Sequence, residues 1–245
     1  MEWEEAAIVL DVRPFGEADA IATVMTPGHG AHRGLARGGA SRSRAALWQP
    51  GNIVHARWVG RLADQLGSLS AELVHPAAAL AMEDPLALAM LRSLCAVAEG
   101  ALPDRVPHER LFAGLLHLLA HLAQGPTLLS DVIRWEAALL ADLGYGLDLA
   151  PPADGRNAPL AYVSPRTGRG VAESDAGDWK PRLLRLPMLF LHDEPGTPPD
   201  WRDGLRLTGH FLTRDAFGLQ HRPLPAARQA LYDRAAAMAE TELDA

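Results

Sequence analysis

The hydrophobic periodicity of the chain changes near His75-Pro76, and this change constrains the fold more than any other feature. Before it, apolar and β-branched residues fall in short alternating runs, which is typical of strands. After it, apolar residues recur about every 3.6 positions, which is typical of helices that pack along one face. We therefore predict an α+β protein with two domains, residues 1–78 and residues 79–245.

Five strand-like runs precede the change in periodicity. They cover residues 7–12, 21–26, 31–36, 52–59 and 66–74. In the fourth run, Val54, Ala56 and Trp58 share one face, whereas His55 and Arg57 share the other. Short antiparallel strands, with glycines where a small barrel must bend, predict a five-stranded OB-fold β-barrel. Barrels of this kind commonly bind oligonucleotides across one face.

The second domain is predicted to be mainly α-helical. The predicted helices cover residues 84–100, 107–123, 127 or 130 to 144, 179–184, 201–217 and 225–243. Asp84-Pro85 supplies an N-cap followed by proline at the first helical position, and Gly144 stands where a left-handed C-cap is expected. A loop and a small hairpin, at about residues 150–178, form an insert that turns at Pro165-Arg166-Thr167-Gly168.

A basic stretch lies within the predicted barrel. From Gly28 to Arg61 the chain has no Asp or Glu, although the whole chain has a formal net charge of -7. Six arginines fall in this stretch: Arg33, Arg37, Arg42, Arg44, Arg57 and Arg61. They lie on the third and fourth predicted strands and around the loop between them, which is predicted to be flexible at residues 38–44. Because fixed arginines neutralise phosphates and release counterions, the stretch predicts a polyanion-binding site.

Other interpretations of this stretch remain open. The arginines can simply solvate the outer face of a small barrel. Trp48 and Trp58 offer flat faces on which bases could stack, but Trp58 shares a face with Val54 and Ala56, which favours a core position. A barrel that binds RNA, or a scaffold protein whose helical domain is the working surface, fits the same pattern.

No pattern in the chain predicts an enzyme. The glycine-rich residues 28–34 lack the spacing of a dinucleotide-binding loop and the Lys-Ser/Thr ending of a Walker loop. His117 and His121 have the spacing of helical metal ligands, but no third ligand is evident nearby. Cys95 lies among leucines and is interpreted as a core residue, and Ser130-Asp131 as a helix start. We expect no catalytic site, no metal and no cofactor.

The chain also lacks signals for export. The first residues begin acidic, without the basic region and apolar run of a signal peptide. No apolar run approaches the roughly 20 residues that span a bilayer. We expect a cytoplasmic protein with no membrane partner.

Several motifs, taken in order, resemble one known family. They are AIVL at 7–10, RPFGEAD at 13–19, TPGHG at 26–30, GLARG at 34–38, LWQPG at 47–51, WEAALLADLGYGLDL at 135–149 and AYVSPRTGR at 161–169. Together they make the chain similar to the RecO family of bacterial recombination mediators over most of its length.

Resemblance to that family implies an OB-fold followed by a helical domain, with no enzymatic activity. It implies binding of single- and double-stranded DNA, annealing of complementary strands, and work with RecR to load RecA onto DNA coated by single-strand-binding protein. The helical domain is expected to receive the acidic, apolar C-terminal tail of that protein. The six arginines are then expected to contact backbone phosphates without sequence preference, in a nucleoid-associated protein.

The chain departs from the family pattern in one place. Some members carry zinc-binding cysteines in the region that corresponds to residues 148–171, where this chain has none. We therefore predict a hairpin without zinc that is held by packing, with a contribution from Tyr162.

Overall fold

The computed structural model describes residues 1–62, 65–150 and 158–243. These residues belong to two compact units, Met1–Gly125 and Pro126–Ala245. The first unit contains a barrel and the three helices that follow it, and the domain boundary between residues 78 and 79 stays a prediction. The described part of the chain contains no helix that is long and apolar enough to cross a membrane.

Five strands close into a barrel in the first unit. They are Glu2–Phe15 (β1), Asp19–Thr26 (β2), Gly30–Ala36 (β3), Ile53–Val59 (β4) and Ser68–His75 (β5). Their order around the barrel is β1-β2-β3-β5-β4, so β1 pairs with both β2 and β4. A short parallel contact between β3 and β5 completes the closure. The predicted five-stranded, OB-like β-barrel is confirmed.

β1 is long enough to pair with two neighbouring strands. Its first half pairs with β4 and its second half with β2, and Ile8 takes part in both ladders. The register shifts between Val9 and Asp11, and an irregularity of this kind bends a strand as closure requires. The predicted turn at residues 13–19 is too long, because Pro14 still pairs within β1. Proline is tolerated there because this end of β1 has a single neighbour.

The interior of the barrel is filled by the inward-facing side chains of its strands and by Trp48, from the connection between β3 and β4. The largest contributions come from Trp3, Val9, Val24, Trp48, Val54, Trp58 and Leu69. Trp58 is 1% exposed, and its indole N–H donates a hydrogen bond to the carbonyl of Leu66 at 3.0 Å. The predicted core position of Trp58 is therefore confirmed.

Three helices complete the first unit. They are Ala77–Ala81 (α1), Pro85–Ala101 (α2) and Glu109–Ala120 (α3). Asp84 caps α2 as predicted, because its carboxylate accepts a hydrogen bond from the N–H of Leu86 at 2.8 Å. α3 is shorter than predicted, and a separate 3-10 turn, Leu122–Gln124, follows it.

The described part of the second unit contains four α-helices, several 3-10 and π-helical turns, and a small sheet. The helices are Leu128–Asp142 (α4), Glu173–Ala176 (α5), Pro198–Phe211 (α6) and Ala226–Leu243 (α7), and the strands are Leu160–Val163 (β6), Gly170–Ala172 (β7) and Leu184–Arg185 (β8). The sheet order is β7-β6-β8, so the predicted hairpin gains a third strand. Two residues are too few to show a periodicity, and β8 therefore had no signal in the sequence. Residues 151–157 of the predicted insert lie outside the described part.

Some helix boundaries in this unit differ from those predicted. The sequence predicts a helix over residues 179–184, whereas the structure has a 3-10 helix over residues 177–182 that contains Pro181. α6 begins at Pro198 behind a capping box made by Thr197 and Asp200. It is followed by a π-helical turn, Leu212–Phe217.

The sequence predicts both the start and the end of α4. Gly144 has a φ of +89° and ends the helix as predicted. Ser130, however, lies within the first turn of α4 and does not cap it. Its hydroxyl oxygen accepts hydrogen bonds from the indole N–H of Trp201 and the N–H of Gly196, both at 2.9 Å, so the residue fixes the start of α6 against α4.

A buried ion pair links three helices of the second unit. Arg228 of α7 and Glu136 of α4 are each 1% exposed, with Nε of Arg228 2.5 Å from Oε1 of Glu136. The Arg228 guanidinium also donates to the carbonyl of Leu205 at 2.7 Å and to the hydroxyl of Thr208 at 3.1 Å, both on α6. The Thr208 hydroxyl donates to the same carboxylate at 2.5 Å. Every charge in this network therefore has a partner.

Candidate nucleic-acid interface

A basic turn segment, residues 37–48, follows the end of β3. Consecutive hydrogen-bonded turns form it. The N–H of Ser41 donates to the carbonyl of Gly38 and the N–H of Arg44 to the carbonyl of Ser41, each at 3.0 Å. Gly38 has a φ of +67°, which favours glycine at that position. The sequence predicts a flexible loop here, whereas the structure has a chain of hydrogen-bonded turns.

Both ends of the basic turn segment are anchored in the barrel. At the first end, the N–H of Gly38 donates to the carboxylate of Asp19 at 2.7 Å. At the other end, the side-chain amide of Asn52 donates to the carbonyl of Ala46 at 2.8 Å. Trp48, 3% exposed, inserts into the barrel core. The backbone that carries the arginines is therefore tied to the barrel on both sides.

Arg37, Arg42 and Arg44 are exposed on this segment. The guanidinium of Arg44 donates to the carbonyl of Arg37 at 3.2 Å, so these two residues lie side by side. Within the described ranges, no carboxylate forms an ion pair with any of the three. The structure thus places three uncompensated positive charges together.

Arg61 lies at the same end of the barrel. The N–H of Leu35, near the end of β3, donates to the carbonyl of Gly67 at 3.0 Å, and Leu35 pairs with Ser68 at the start of β5. This contact brings the start of β5 next to the point where the basic turn segment leaves β3, and Ser68 also pairs with Val59, the last residue of β4. Arg61 follows Val59 by two residues and is exposed.

Arg57 is in a different environment. It lies on the outer face of β4, where it pairs across the ladder with Glu4 of β1. Its Nη2 is 2.5 Å from the Glu2 carboxylate, and its Nε is 4.0 Å from that of Glu4. Two glutamates from outside the basic stretch therefore compensate this arginine.

Arg33 is also compensated. On β3, its Nη1 lies 3.4 Å from the carboxylate of Asp104 and its Nη2 3.6 Å from that of Glu99 in α2. Arg13 lies 3.6 Å from the same Glu99. Folding thus gives acidic neighbours to Arg33 and Arg57, whereas Arg37, Arg42 and Arg44 have none among the described residues. Arg61 lies at the same end of the barrel as these three.

The histidines of the basic stretch do not add to the exposed cluster. His29 and His55 lie beside glutamates, with Nδ1 2.6 Å from Glu5 and 3.5 Å from Glu4 respectively. His32 is buried against Trp58, and burial, followed by repulsion from Arg105 and His29, lowers its pKa to about 4. His32 is therefore neutral at pH 7.

Neither candidate stacking residue presents a face to solvent. Trp48 and Trp58 both lie in the core, as described above. Any nucleic acid at this end of the barrel would consequently be held by its backbone, because the arginines offer donors for phosphates while the indoles are enclosed.

The residues considered for catalysis have ordinary surroundings. Cys95 is 2% exposed, and burial raises the pKa of its thiol to about 12, so it stays protonated at neutral pH. The rings of His117 and His121 lie 4.2 Å apart on α3 and just beyond its end. In the part of the chain that the structure describes, no group of three His, Cys, Asp or Glu side chains could hold a metal ion.

Two models of one protein family match the chain, one after the other along the sequence. The family model "Recombination protein O N terminal" matches residues 1–77, and "Recombination protein O C terminal" matches residues 82–224. A relative from Granulibacter bethesdensis, named DNA repair protein RecO, is 59% identical over 99% of this chain and 98% of its own length. Relatives with the same name from Gluconacetobacter diazotrophicus and Rhodospirillum centenum are 58% and 46% identical, over 95% and 96% of this chain and 94% of each relative.

A closed OB-like barrel with a basic turn at one end, followed by a helical unit, places the chain among α+β proteins built on an OB-like barrel. The particular family follows from the two family models and the relatives. The chain belongs to the RecO family of DNA repair proteins.

Proposed function

We propose that this protein is a DNA-binding recombination mediator. It binds single- and double-stranded DNA without sequence preference and anneals complementary strands. With RecR, it helps to load RecA onto DNA coated by single-strand-binding protein. The observation that carries the proposal is the group of exposed arginines, Arg37, Arg42 and Arg44, on an anchored turn in a member of the RecO family.

The proposed mechanism is electrostatic. Two complementary strands repel each other through their phosphates, and fixed guanidinium groups neutralise part of that charge and displace condensed counterions. Arg61, at the same end of the barrel, extends the basic surface. Arg33 and Arg57 contribute less, because each must exchange a carboxylate partner for a phosphate. Contacts of this kind do not read base identity, so strands of any sequence are accepted.

A groove in the second unit supports binding of the single-strand-binding-protein tail. It lies between α6 and α7, has a volume of about 350 Å³ and is lined by apolar parts of Leu205, Leu224 and Tyr232. Arg206 stands at its side, exposed, and forms no ion pair among the described residues. An acidic, apolar C-terminal peptide requires an apolar groove with a guanidinium that can reach its carboxylates.

The proposal includes no catalytic step. The single thiol is buried and protonated, and annealing needs no bond to be broken. The protein is therefore proposed to act as a binding and assembly factor that functions with DNA, RecR and the coating protein in the bacterial nucleoid.

An annealing assay tests the proposal. Two complementary labelled oligonucleotides are mixed with the protein, with and without cognate single-strand-binding protein. The wild-type chain is expected to accelerate pairing in both conditions. The variant R37A/R42A/R44A is expected to lose most of that acceleration, because it removes three phosphate contacts from one surface.

A matched control separates this site from net charge. The variant R92A/R110A/R234A removes the same number of positive charges from exposed helix positions and is expected to anneal like the wild type. A wild-type protein that does not accelerate annealing, or that prefers structured RNA, would instead support an RNA-binding or scaffold role.

A further inference from the structure

One tryptophan of the chain, Trp179, differs from the other five in its solvent exposure. Five of the six indoles are buried, at 1–9% exposure: Trp3, Trp48, Trp58, Trp135 and Trp201. Trp179 is 64% exposed. One exposed apolar side chain is common on a protein surface, but Trp179 also borders a cavity, and this combination points to a binding role.

Trp179 stands at the side of a cavity in the second unit. The cavity has a volume of about 380 Å³, within the range of roughly 300–1,000 Å³ typical of small-ligand sites. Val171 and Leu183 contribute apolar surface, and Arg166 and Arg182 contribute positive charge. Asp175 is the one acidic side chain among the described lining residues.

The two arginines differ from the other cations nearby. Lys180 is paired with Glu173 at 2.5 Å, and Arg169 with Asp148 at 3.2 Å. Arg166 and Arg182 form no ion pair with the described carboxylates. The guanidinium carbon of Arg182 lies instead 5.4 Å from the centre of the Trp179 ring. Because most of the indole remains exposed beside this contact, it retains surface on which a second planar group can stack.

Arg166 lies in the turn of the β6–β7 hairpin, and the π-helical turn that follows α6 holds this turn in place. The guanidinium of Arg214 donates to the carbonyls of Pro165 and Arg166, at 2.5 and 3.0 Å. His210 lies with Nε2 3.0 Å from the carbonyl of Pro165. The side of the cavity that carries Arg166 is therefore fixed by α6 and by the π-helical turn that follows it, which limits the entropy lost when a ligand binds.

We infer that this cavity binds one nucleotide of single-stranded DNA, with the base stacked on Trp179 and the adjoining phosphates contacted by Arg166 and Arg182. An exposed aromatic ring in a cavity that is also lined by arginines is the combination that holds single strands without reading their sequence. The choice of DNA as the ligand rests on the proposed function. The site lies in the second unit and the barrel arginines lie in the first, so the inference has DNA contacted by both units of the chain.

The experiment uses the full-length protein and a short thymidine oligonucleotide that contains 5-iodouracil. Ultraviolet irradiation is expected to cross-link the base to Trp179, identified by peptide mapping. The variant W179A is expected to weaken oligonucleotide binding by about 5- to 100-fold at fixed salt, as for loss of one stacked base. W179F keeps an aromatic face and is expected to lose much less. L219A, which removes an equally exposed apolar side chain of the same unit, is the matched control and is expected to change nothing.

Three outcomes would overturn the inference. If W179A binds the oligonucleotide like the wild type and no cross-link maps to Trp179, the site does not hold DNA, while the proposed function stands. If the wild-type protein binds no DNA, both fail. If W179A weakens binding of an acidic peptide but leaves oligonucleotide binding unchanged, the cavity is a protein-docking surface.

Discussion

The basic turn segment and the Glu136–Arg228 network show two opposite uses of arginine in one chain. Arg37, Arg42 and Arg44 are exposed, with no acidic partner among the described residues. Arg228 is 1% exposed and donates to a carboxylate, a carbonyl and a hydroxyl. The surroundings of an arginine in the fold, more than its place in the sequence, therefore decide whether its charge is available to a ligand.

Arg33 and Arg57 lie between these two cases. They are about half exposed, and each has carboxylates within reach. In the sequence they belong to the same stretch as Arg37, Arg42 and Arg44, but the fold gives them partners from β1, from α2 and from the residues after α2. The comparison therefore predicts that stability depends on the buried pair, whereas binding depends on the exposed group.

The largest effect is expected from breaking the buried pair. Arg228→Ala leaves the Glu136 carboxylate buried without its main partner, and we expect the free energy of unfolding to fall by about 3–5 kcal/mol. Urea denaturation measures this. Arg234→Ala, an exposed arginine on the same helix, is the control and should change stability by less than about 0.5 kcal/mol. A similarly small loss for Arg228→Ala would mean that the pair does not hold these helices together.

The second-largest effect on stability is expected from His32, which is buried. Neither ring nitrogen of His32 has a hydrogen-bond partner in the described structure, and its pKa is lowered from 6.5 to about 4. Well above pH 7 the ring is neutral in both the folded and the unfolded states. As the pH falls from 6.5 to about 4, only the unfolded state gains the proton, so the folded state loses up to about 3 kcal/mol.

The His32 prediction is measured as stability against pH for the wild type and His32→Phe. Carboxylates also titrate in this range, so the informative quantity is the difference between the two proteins. That difference should change steadily between pH 6.5 and 4 and stay constant above pH 7. Parallel curves over the whole range would contradict a neutral, buried His32.

The smallest effect on stability is expected at a surface pair. Arg57→Ala removes the contacts to Glu2 and Glu4, but the side chains are about half exposed and solvent screens them. We expect a loss of at most about 1 kcal/mol in urea denaturation, reduced further by added salt. A loss as large as that for Arg228→Ala would remove the distinction between surface and buried pairs.

The sequence predicts the barrel well because its signals are local. Alternation in β4 placed Trp58 in the core, and Asp84-Pro85 marked the start of α2. The two-residue strand β8 and the role of Ser130 depend on contacts between distant segments, for which a single sequence has no pattern. Ser130 receives hydrogen bonds from Gly196 and Trp201, far along the chain.

The same limit applies to the candidate site. The absence of Asp and Glu between Gly28 and Arg61 correctly marks a basic stretch, but it says nothing about acidic residues that folding brings beside it. Glu2, Glu99 and Asp104 lie outside the stretch and compensate two of its arginines. Only the three-dimensional arrangement separates the arginines that can meet a phosphate directly from those that already have a partner.

One measurement tests this separation directly: the affinity for a single-stranded oligonucleotide over a series of salt concentrations. For R37A/R42A/R44A, we expect the negative slope of log K against log salt to decrease in magnitude by about 2, since each phosphate contact contributes about 0.7. For R33A/R57A, we expect a slope close to that of the wild type. An unchanged slope in the triple variant, or a larger change in the double variant, would contradict the claim that the arginines without acidic partners hold the DNA.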